Sequence, residues 1–374
     1  MTPAPPGADR AEGPALTVRS VGASSVLVPM KRPLGTSAAR ITKAPLLLID
    51  LLTEEGVTGR AYLFCYLPSA QRAAAALVGD VGAFLAGAAL SPGDVHRSLA
   101  SRFRLLGTSG LVGAVMAGVD VACWDALAIA AGLPLARLLG ATPRPIPAYN
   151  SNGLGLVAAE AAAAEAQELV AEGFRAVKMR LGRASAHDDL AAVRAVRGAL
   201  PADIAVMADY NQALRLDTAR ERCGHLDDEG LYWIEEPVRH DDYAGTALLA
   251  AALRTPVQIG ENFEGPRAMS LALHHRASDV VMPDLQRIGG VSGWRDAAAL
   301  ADVAGIPMSS HLFPEVSSAL LAATPTAHWL EYVDWANPVL TEPLRIVDGC
   351  AAAQDRPGNG LVWDEDAVAR YRVD

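Results

Sequence analysis

The sequence predicts an α/β protein whose larger, C-terminal part is a β/α barrel, and three observations carry that expectation. From about Pro145 onward, short β-rich segments alternate with Ala-rich helical ones; the strand candidates recur at intervals of roughly 20–30 residues, the length of one βα unit; and each candidate begins apolar and finishes on a charged or polar residue. Repeated βα units with apolar strands give a parallel sheet covered by helices. Seven or eight such units close into a barrel, and no Gly-rich fingerprint follows an early strand to favour the open, doubly wound alternative.

In chain order, residues 1–15 (MTPAPPGADRAEGPA) are rich in Pro, Ala and Gly, lack the basic start and apolar core of a secretory signal, and read as a loose tail. Residues 16–143 read as an α+β unit. They open with strand-like VLVPM, the polar loop KRPLGTSAARIT and the apolar run APLLLIDLLT, which is stopped by Glu55-Gly56. Ala and Leu then recur at helical spacing, and AVMAGVDVACWDALAIAAG is apolar nearly all round, as a buried helix is. Residues 144–345 hold the barrel candidates AVKMRLG, IAVMADYN, LYWIEEP, PVQIGEN, DVVMPDL, IPMSSHL and HWLEYV. Residues 346–374 lapse into a Gly- and Pro-containing segment expected to pack back on the first domain.

Composition narrows the function. A chain of 374 residues with 51% hydrophobic residues can bury a large core. Its net charge of -10 is spread along the sequence with no run of Lys and Arg, which argues against a nucleic-acid partner, and no stretch reads as a membrane span. Cys65, Cys123, Cys223 and Cys350 are scattered without a CxxC pair, so neither a zinc site nor a disulfide framework is signalled; buried thiols in a reducing cytoplasm are expected.

The strand ends carry the chemistry: Lys178 and Arg180, Asp209 and Asn211, Glu235, Glu261, Asp284, His311 and Glu331. In a β/α barrel these ends converge on one face. A lone Glu at a strand end more often caps a helix or pairs with an Arg, but packing does not explain so many consecutive cases, since burying ionisable groups together is costly unless a metal and a substrate pair them. Asp209, Glu235 and Glu261 come from successive strands and offer hard oxygen ligands suited to Mg²⁺. Glu236 points to the opposite face by the period-two rule, which favours Glu235 as the ligand. Asp284 ends the strand before His311, so the two should be neighbours, and a carboxylate fixes the tautomer and raises the basicity of an imidazole base. Lys178 and Arg180 share one side of a strand, as cations for a substrate carboxylate; Lys can also be tuned to take a proton, Arg hardly ever. For Glu331 two roles stay open: a protonated donor to an enolate oxygen, or an ion-pair partner of Arg287 or another cation.

These residues, with APLLLIDLLTEEGVTG, GVDVACWDAL, GFRAVKMRLG, MADYNQ, WIEEP, GEN, MPDLQRIGGVSGW and GIPMSSHLFPEVSSALLAATPTAHWLE in order, resemble the enolase superfamily and, within it, the mandelate racemase subgroup. The resemblance implies an α+β capping domain over a modified (β/α)8 barrel of TIM type, with Mg²⁺ on Asp209, Glu235 and Glu261. It further implies a His311–Asp284 base on one face of the α-carbon, Lys178 at the substrate carboxylate, Glu331 as an electrophile and Asn211 helping to position the anion. One departure stands out: the family archetype has Lys-x-Lys, the second Lys being the opposite base, where this chain reads Lys178-Met179-Arg180, and Arg287 also replaces a Lys. Arginine is a poor proton acceptor, so a two-base racemase would lack its second base.

The same resemblance puts Leu34, Ala38 and Ile41 on a lid and Phe64, Tyr66, Leu312 and Val333 around the distal end of the substrate. Such a lining suits an apolar or aromatic 2-hydroxy acid better than a sugar acid, whose hydroxyls would lack partners. Lys31, Arg32 and Arg40 in the lid loop read as solvated charges. The expected protein is a cytoplasmic homo-oligomer acting on a small-molecule carboxylate, as a racemase or epimerase. An acid-sugar dehydratase using the same dyad is the alternative, and an inactive binding protein a third.

Overall fold

The computed structural model describes residues 15–37, 39–352 and 354–373. The expected tail falls almost wholly outside them, as does Ala38 of the lid. The N-terminal unit is a three-stranded antiparallel sheet of β1 (Val18–Gly35), β2 (Arg40–Thr53) and β3 (Thr58–Phe64) in that order. Helices α1 (Pro68–Leu85), α2 (Pro92–Arg102), α3 (Gly110–Ala130) and the short α4 (Leu135–Leu138) follow.

Helix α3 is long and apolar enough to cross a membrane by length and composition, yet 67% of its apolar window is buried inside the fold. Its close approach to β3 depends on Gly59, where a Cβ would sit 2.0 Å from the Ala122 carbonyl oxygen. The helix thus serves as the spine between sheet and barrel. Asp120 on α3 accepts from the amide and hydroxyl of Ser292 in the barrel, and Asp125 accepts from the amides of Arg60 and Asn359.

The barrel begins with β4 (Ile146–Asn150), a strand that was not among the candidates because Pro145 and Pro147 break its pattern. After it, α5 (Ala159–Ala171), β5 (Ala176–Arg180), α6 (Ala186–Ala199), β6 (Ala205–Asp209), α7 (Leu216–Leu226), β7 (Ile234–Glu235), α8 (Tyr243–Ala252), β8 (Val257–Ile259), α9 (Pro266–His275) and β9 (Val280–Val281) alternate. Then come α10 (Leu285–Ile288), α11 (Gly290–Ala304), α12 (Pro314–Ala322) and β10 (Leu330–Tyr332). Strands β4 to β9 pair in parallel in sequence order. Met308 bridges Val281 and Ala327, and β10 pairs with β4, which closes the ring. The IPMSSHL segment therefore occupies a barrel position through isolated bridges and not through a regular strand.

Beyond β10 the chain adds β11 (Ile346–Val347) and β12 (Cys350–Ala351), the latter antiparallel to β4, before α13 (Glu365–Tyr371). From there it reaches the N-terminal sheet: the Trp363 indole donates to Asp50 at 3.0 Å, and Arg372 bridges Val26.

At the seam between the two domains, the buried Tyr62 hydroxyl of β3 donates to Glu315 Oε2 of α12 at 2.8 Å, while Glu315 Oε1 has no partner. Burial pushes the Glu315 carboxyl up to about 7. A carboxyl that holds its proton more tightly folded than unfolded stabilises the fold at acid pH. That contribution is complete below its ordinary pKa near 4.5 and is lost as pH rises towards about 7. Urea unfolding of wild type and Glu315→Gln across pH 5–8 should show wild type losing stability relative to the variant as pH rises; parallel curves would contradict the assignment.

Candidate active site

Period-two alternation along β5 turns Lys178 and Arg180 to the same side, and the parallel register sets Arg180 beside Asp209 and Asp209 beside Glu235. Lys178, 1% exposed, places Nζ 2.6 Å from Glu235, 2.8 Å from Glu331 and 3.4 Å from Asp209. One ligand oxygen from each of Asp209, Glu235 and Glu261 lies within 4.8 Å of the others. The second Glu235 oxygen is held by the Trp233 indole and the Gln258 amide, both at 3.1 Å. On the other side of the mouth Asp284 and His311 form a parallel bridge, with Nδ1 of the imidazole 2.7 Å from Asp284 Oδ2. The remaining ring nitrogen, Nε2, faces Glu261 at 3.3 Å and Glu331 at 3.8 Å. Every polar strand end singled out in the sequence is therefore at one end of the barrel.

Burial by itself would raise these carboxyls and depress the cations, and the pattern of departures shows which neighbour wins. Glu235 is pushed up to about 8 by burial against the pull of Lys178. Glu236 is also raised by burial, with Glu261 the next cause. Burial opposes the charge of His311, but Glu261, Glu331 and Asp284 raise its pKa well above the ordinary value. Glu331 behaves in the opposite sense to a protonated donor: burial pushes it up, yet Lys178 and His311 hold it down at about 2. Its cation is Lys178, not Arg287.

Arg180 is buried and aimed away from the carboxylates. Nη1 donates to the carbonyls of Ser151 and Gly153 at 2.7 and 3.1 Å, Nη2 donates to Ser151 Oγ at 2.9 Å, and Nε has no partner. Ser151, which also hydrogen-bonds Glu331, carries no motif and was missed from sequence. Glu236 was set aside by strand alternation, but β7 ends at Glu235 and Glu236 adopts a φ of 37°, which turns it back towards the mouth. There Asn262 donates to both its oxygens and to Glu261, and Arg287 in turn donates to Asn262. Arg287 thus supports Glu236 and Glu261 through one amide.

The donor set fits a dication. Six carboxylates, Asp209, Glu235, Glu236, Glu261, Asp284 and Glu331, gather around Lys178 and His311, with Arg287 reaching Glu236 and Glu261 through Asn262. The carboxylates outnumber the cations among them, an excess of hard oxygen donors that a dication balances. Asn211 donates its amides to Asp209 and leaves Oδ1 buried without a partner, another hard oxygen at the same place.

The pocket residues separate into two groups. The Phe64 ring packs at a tilt against Tyr66 and Trp335, with centroids 4.4 and 4.8 Å away, and the Tyr66 ring lies 5.7 Å from the Arg287 guanidinium. Leu312 and Val333 are buried in the same apolar cluster as Phe64. Leu34 and Ile41 pair across β1 and β2, and Ser37 in the connection between the strands donates to the Tyr210 carbonyl.

Residues 161–367 match the family model of the enolase C-terminal domain-like fold, and residues 19–140 match the N-terminal domain of mandelate racemase and muconate lactonizing enzyme. The chain belongs to the enolase superfamily, in the mandelate racemase/muconate lactonizing enzyme subgroup. An enolase from alpha pretobacterium bal199 with bound magnesium superimposes with a TM-score of 0.94 at 48% identity, covering 96% of this chain and 100% of that one. An enolase from Bradyrhizobium complexed with magnesium and mandelic acid gives 0.91 at 44% identity, over 96% of this chain and 99% of the other. The L-talarate/galactarate dehydratase of Salmonella typhimurium is 35% identical over 264 residues, 70% of this chain and 66% of that protein. The protein is accordingly a Mg²⁺-dependent enolase-superfamily enzyme of racemase or dehydratase type acting on a carboxylate, and Asp209, Glu235 and Glu261 are its metal-binding triad.

Titration calorimetry with Mg²⁺ checks the triad. Asp209→Asn should weaken binding by more than the roughly 10–100-fold that loss of an outer-shell partner costs. An affinity equal to wild type would remove Asp209 from the ligand set.

Proposed function

We propose that the enzyme removes the α-proton of an apolar or aromatic 2-hydroxycarboxylate, with His311 as the base on one face of the α-carbon. The observation that carries this is the lock on the imidazole: Asp284 holds Nδ1 at 2.7 Å, so Nε2 is the nitrogen turned to the space between Glu261 and Glu331. Lys178 meets the substrate carboxylate, and Glu331, kept anionic, holds Lys178 and the Leu312 amide in place. Asn211 positions the anion beside Asp209. Bound Mg²⁺ supplies positive charge that stabilises the enediolate oxygens as the proton leaves.

On the opposite face Arg180 is a fixed cation. Its donors are committed to Ser151 and Gly153, and a guanidinium is a poor proton acceptor. The apolar end of the pocket, with Phe64, Tyr66 and Val333 beside Leu312, favours an aryl or alkyl substituent, since the hydroxyls of a sugar acid would lose partners there. Leu34 and Ile41 close that end from the lid. The mandelic acid held by the Bradyrhizobium relative agrees with this substrate class.

A dehydratase is the second reading, favoured by the single Brønsted group: His311 can take the α-proton and then deliver it to a departing β-hydroxyl. The Salmonella relative has that chemistry by name.

With mandelate and Mg²⁺ in D₂O, followed by proton NMR for each enantiomer, His311→Asn should lose α-proton exchange by about 10²–10⁴-fold, the usual worth of a general base. Arg180→Lys should raise racemisation. If His311→Asn exchanges one enantiomer at the wild-type rate, Arg180 is a base and the one-sided mechanism is wrong; turnover confined to sugar acids would promote the dehydratase.

A further inference from the structure

The end of β4 and the loop after it, together residues 150–155, lie between two arginines. From inside the barrel Arg180 holds its Ser151 and Gly153 carbonyls. From outside, Arg32 of β1, with its side chain only 12% exposed, faces three carboxylates of α5 and the residue after it: Glu172 at 3.0 Å, Glu168 at 3.3 Å and Glu165 at 3.6 Å. Lys31 adds a second cation to Glu172 at 2.9 Å. Those carboxylates grip the loop itself. The Leu154 amide donates to Glu165 at 2.8 Å, and the Asn150 side-chain amide donates to Glu172 at 3.2 Å. Gly153, at a φ of 58°, is packed so closely that a Cβ would meet the Glu165 carboxylate at 2.2 Å and the Arg32 stem at 2.9 Å. Gly155 lies against Gly35, where β1 turns into the lid.

We propose that Arg32 is a positioning residue for the reaction. By fixing Glu165 and Glu172 it sets the 150–155 loop, and the loop sets where Arg180 and the Ser151 hydroxyl stand against Glu331. Because Arg32 is on the strand that carries the lid, the ion cluster also ties lid placement to Arg180. The chemical role of Arg180 rests on the function proposed above; the mechanical link from Arg32 to Arg180 does not.

The test therefore reads the link without turnover. In the full-length protein with Mg²⁺, amide hydrogen exchange over residues 150–155 should speed up about tenfold in Arg32→Met, which keeps the apolar stem, with β5 still protected; Arg32→Lys should recover part of the protection. A crystal structure of Arg32→Met should show Arg180 released from at least one of the two carbonyls. If mandelate is a substrate, kcat for α-proton exchange should fall with a smaller change in KM. Unchanged protection with Arg180 in place overturns the proposal. A loosened loop with kcat intact overturns it too, since the cluster would then serve only the fold. A wild-type enzyme that leaves mandelate untouched defeats the proposed substrate, and the link is then decided by amide protection and by the Arg180 contacts.

Discussion

An ammonium group removed from water costs several kcal/mol unless anions replace its hydration, and a carboxylate in the same place costs a comparable amount. At the barrel mouth each of these penalties is met by the other. Lys178 stands among Glu235, Glu331 and Asp209, and none of these groups is tolerable there without its neighbours. The same constraint explains the outer contacts: Trp233 and Gln258 satisfy the second Glu235 oxygen, Asn262 satisfies Glu236, and the Leu312 amide satisfies Glu331. Strands β6 and β7 end at Asp209 and Glu235, and the left-handed residues Asn211 and Leu312 bring their backbone amides to Asp209 and Glu331. The excess of acid over base that survives is what makes the place a dication site.

The legible part of this in the sequence was whatever depends on spacing. Asp209, Glu235 and Glu261 could be placed on one face because a βα repeat fixes where strands end, and Asp284 and His311 could be paired because they end adjacent strands. The lapses came where local backbone breaks the period. Glu236 leaves its strand on a positive φ and returns to the mouth, and Ser151 belongs to a loop with no motif. The first barrel strand was hidden by its prolines. Charge was hardest to read: for Glu331 a protonated donor and an ion-pair partner both stayed open, and a lysine 2.8 Å away favours the second. Lys31 is largely solvated as expected, but Arg32 is mostly buried against carboxylates about 140 residues further on, in and just after α5, a distance that no periodicity reports.

Arg180 is fixed in place by the shape of its charged group. A guanidinium spreads its charge over a planar fork, and here the fork spans two carbonyls and a hydroxyl that one ammonium group could not reach together. The side chain is thereby held as a fixed strut against the loop that follows the first barrel strand.

The contacts of the last described residues with the first sheet bear on how the chain matures. Asn359 donates to the Arg60 carbonyl, Trp363 reaches Asp50 and Arg372 lies on Val26, so the N-terminal domain is finished by residues some 300 positions downstream. During synthesis that domain leaves the ribosome first yet must wait, with part of its surface uncovered, until the barrel has been made and the final helix arrives. Pairings of such long separation are slow to form and leave hydrophobic edges open meanwhile. The long-range closure of the first sheet thus makes its completion depend on the segment from Asn359 to Arg372.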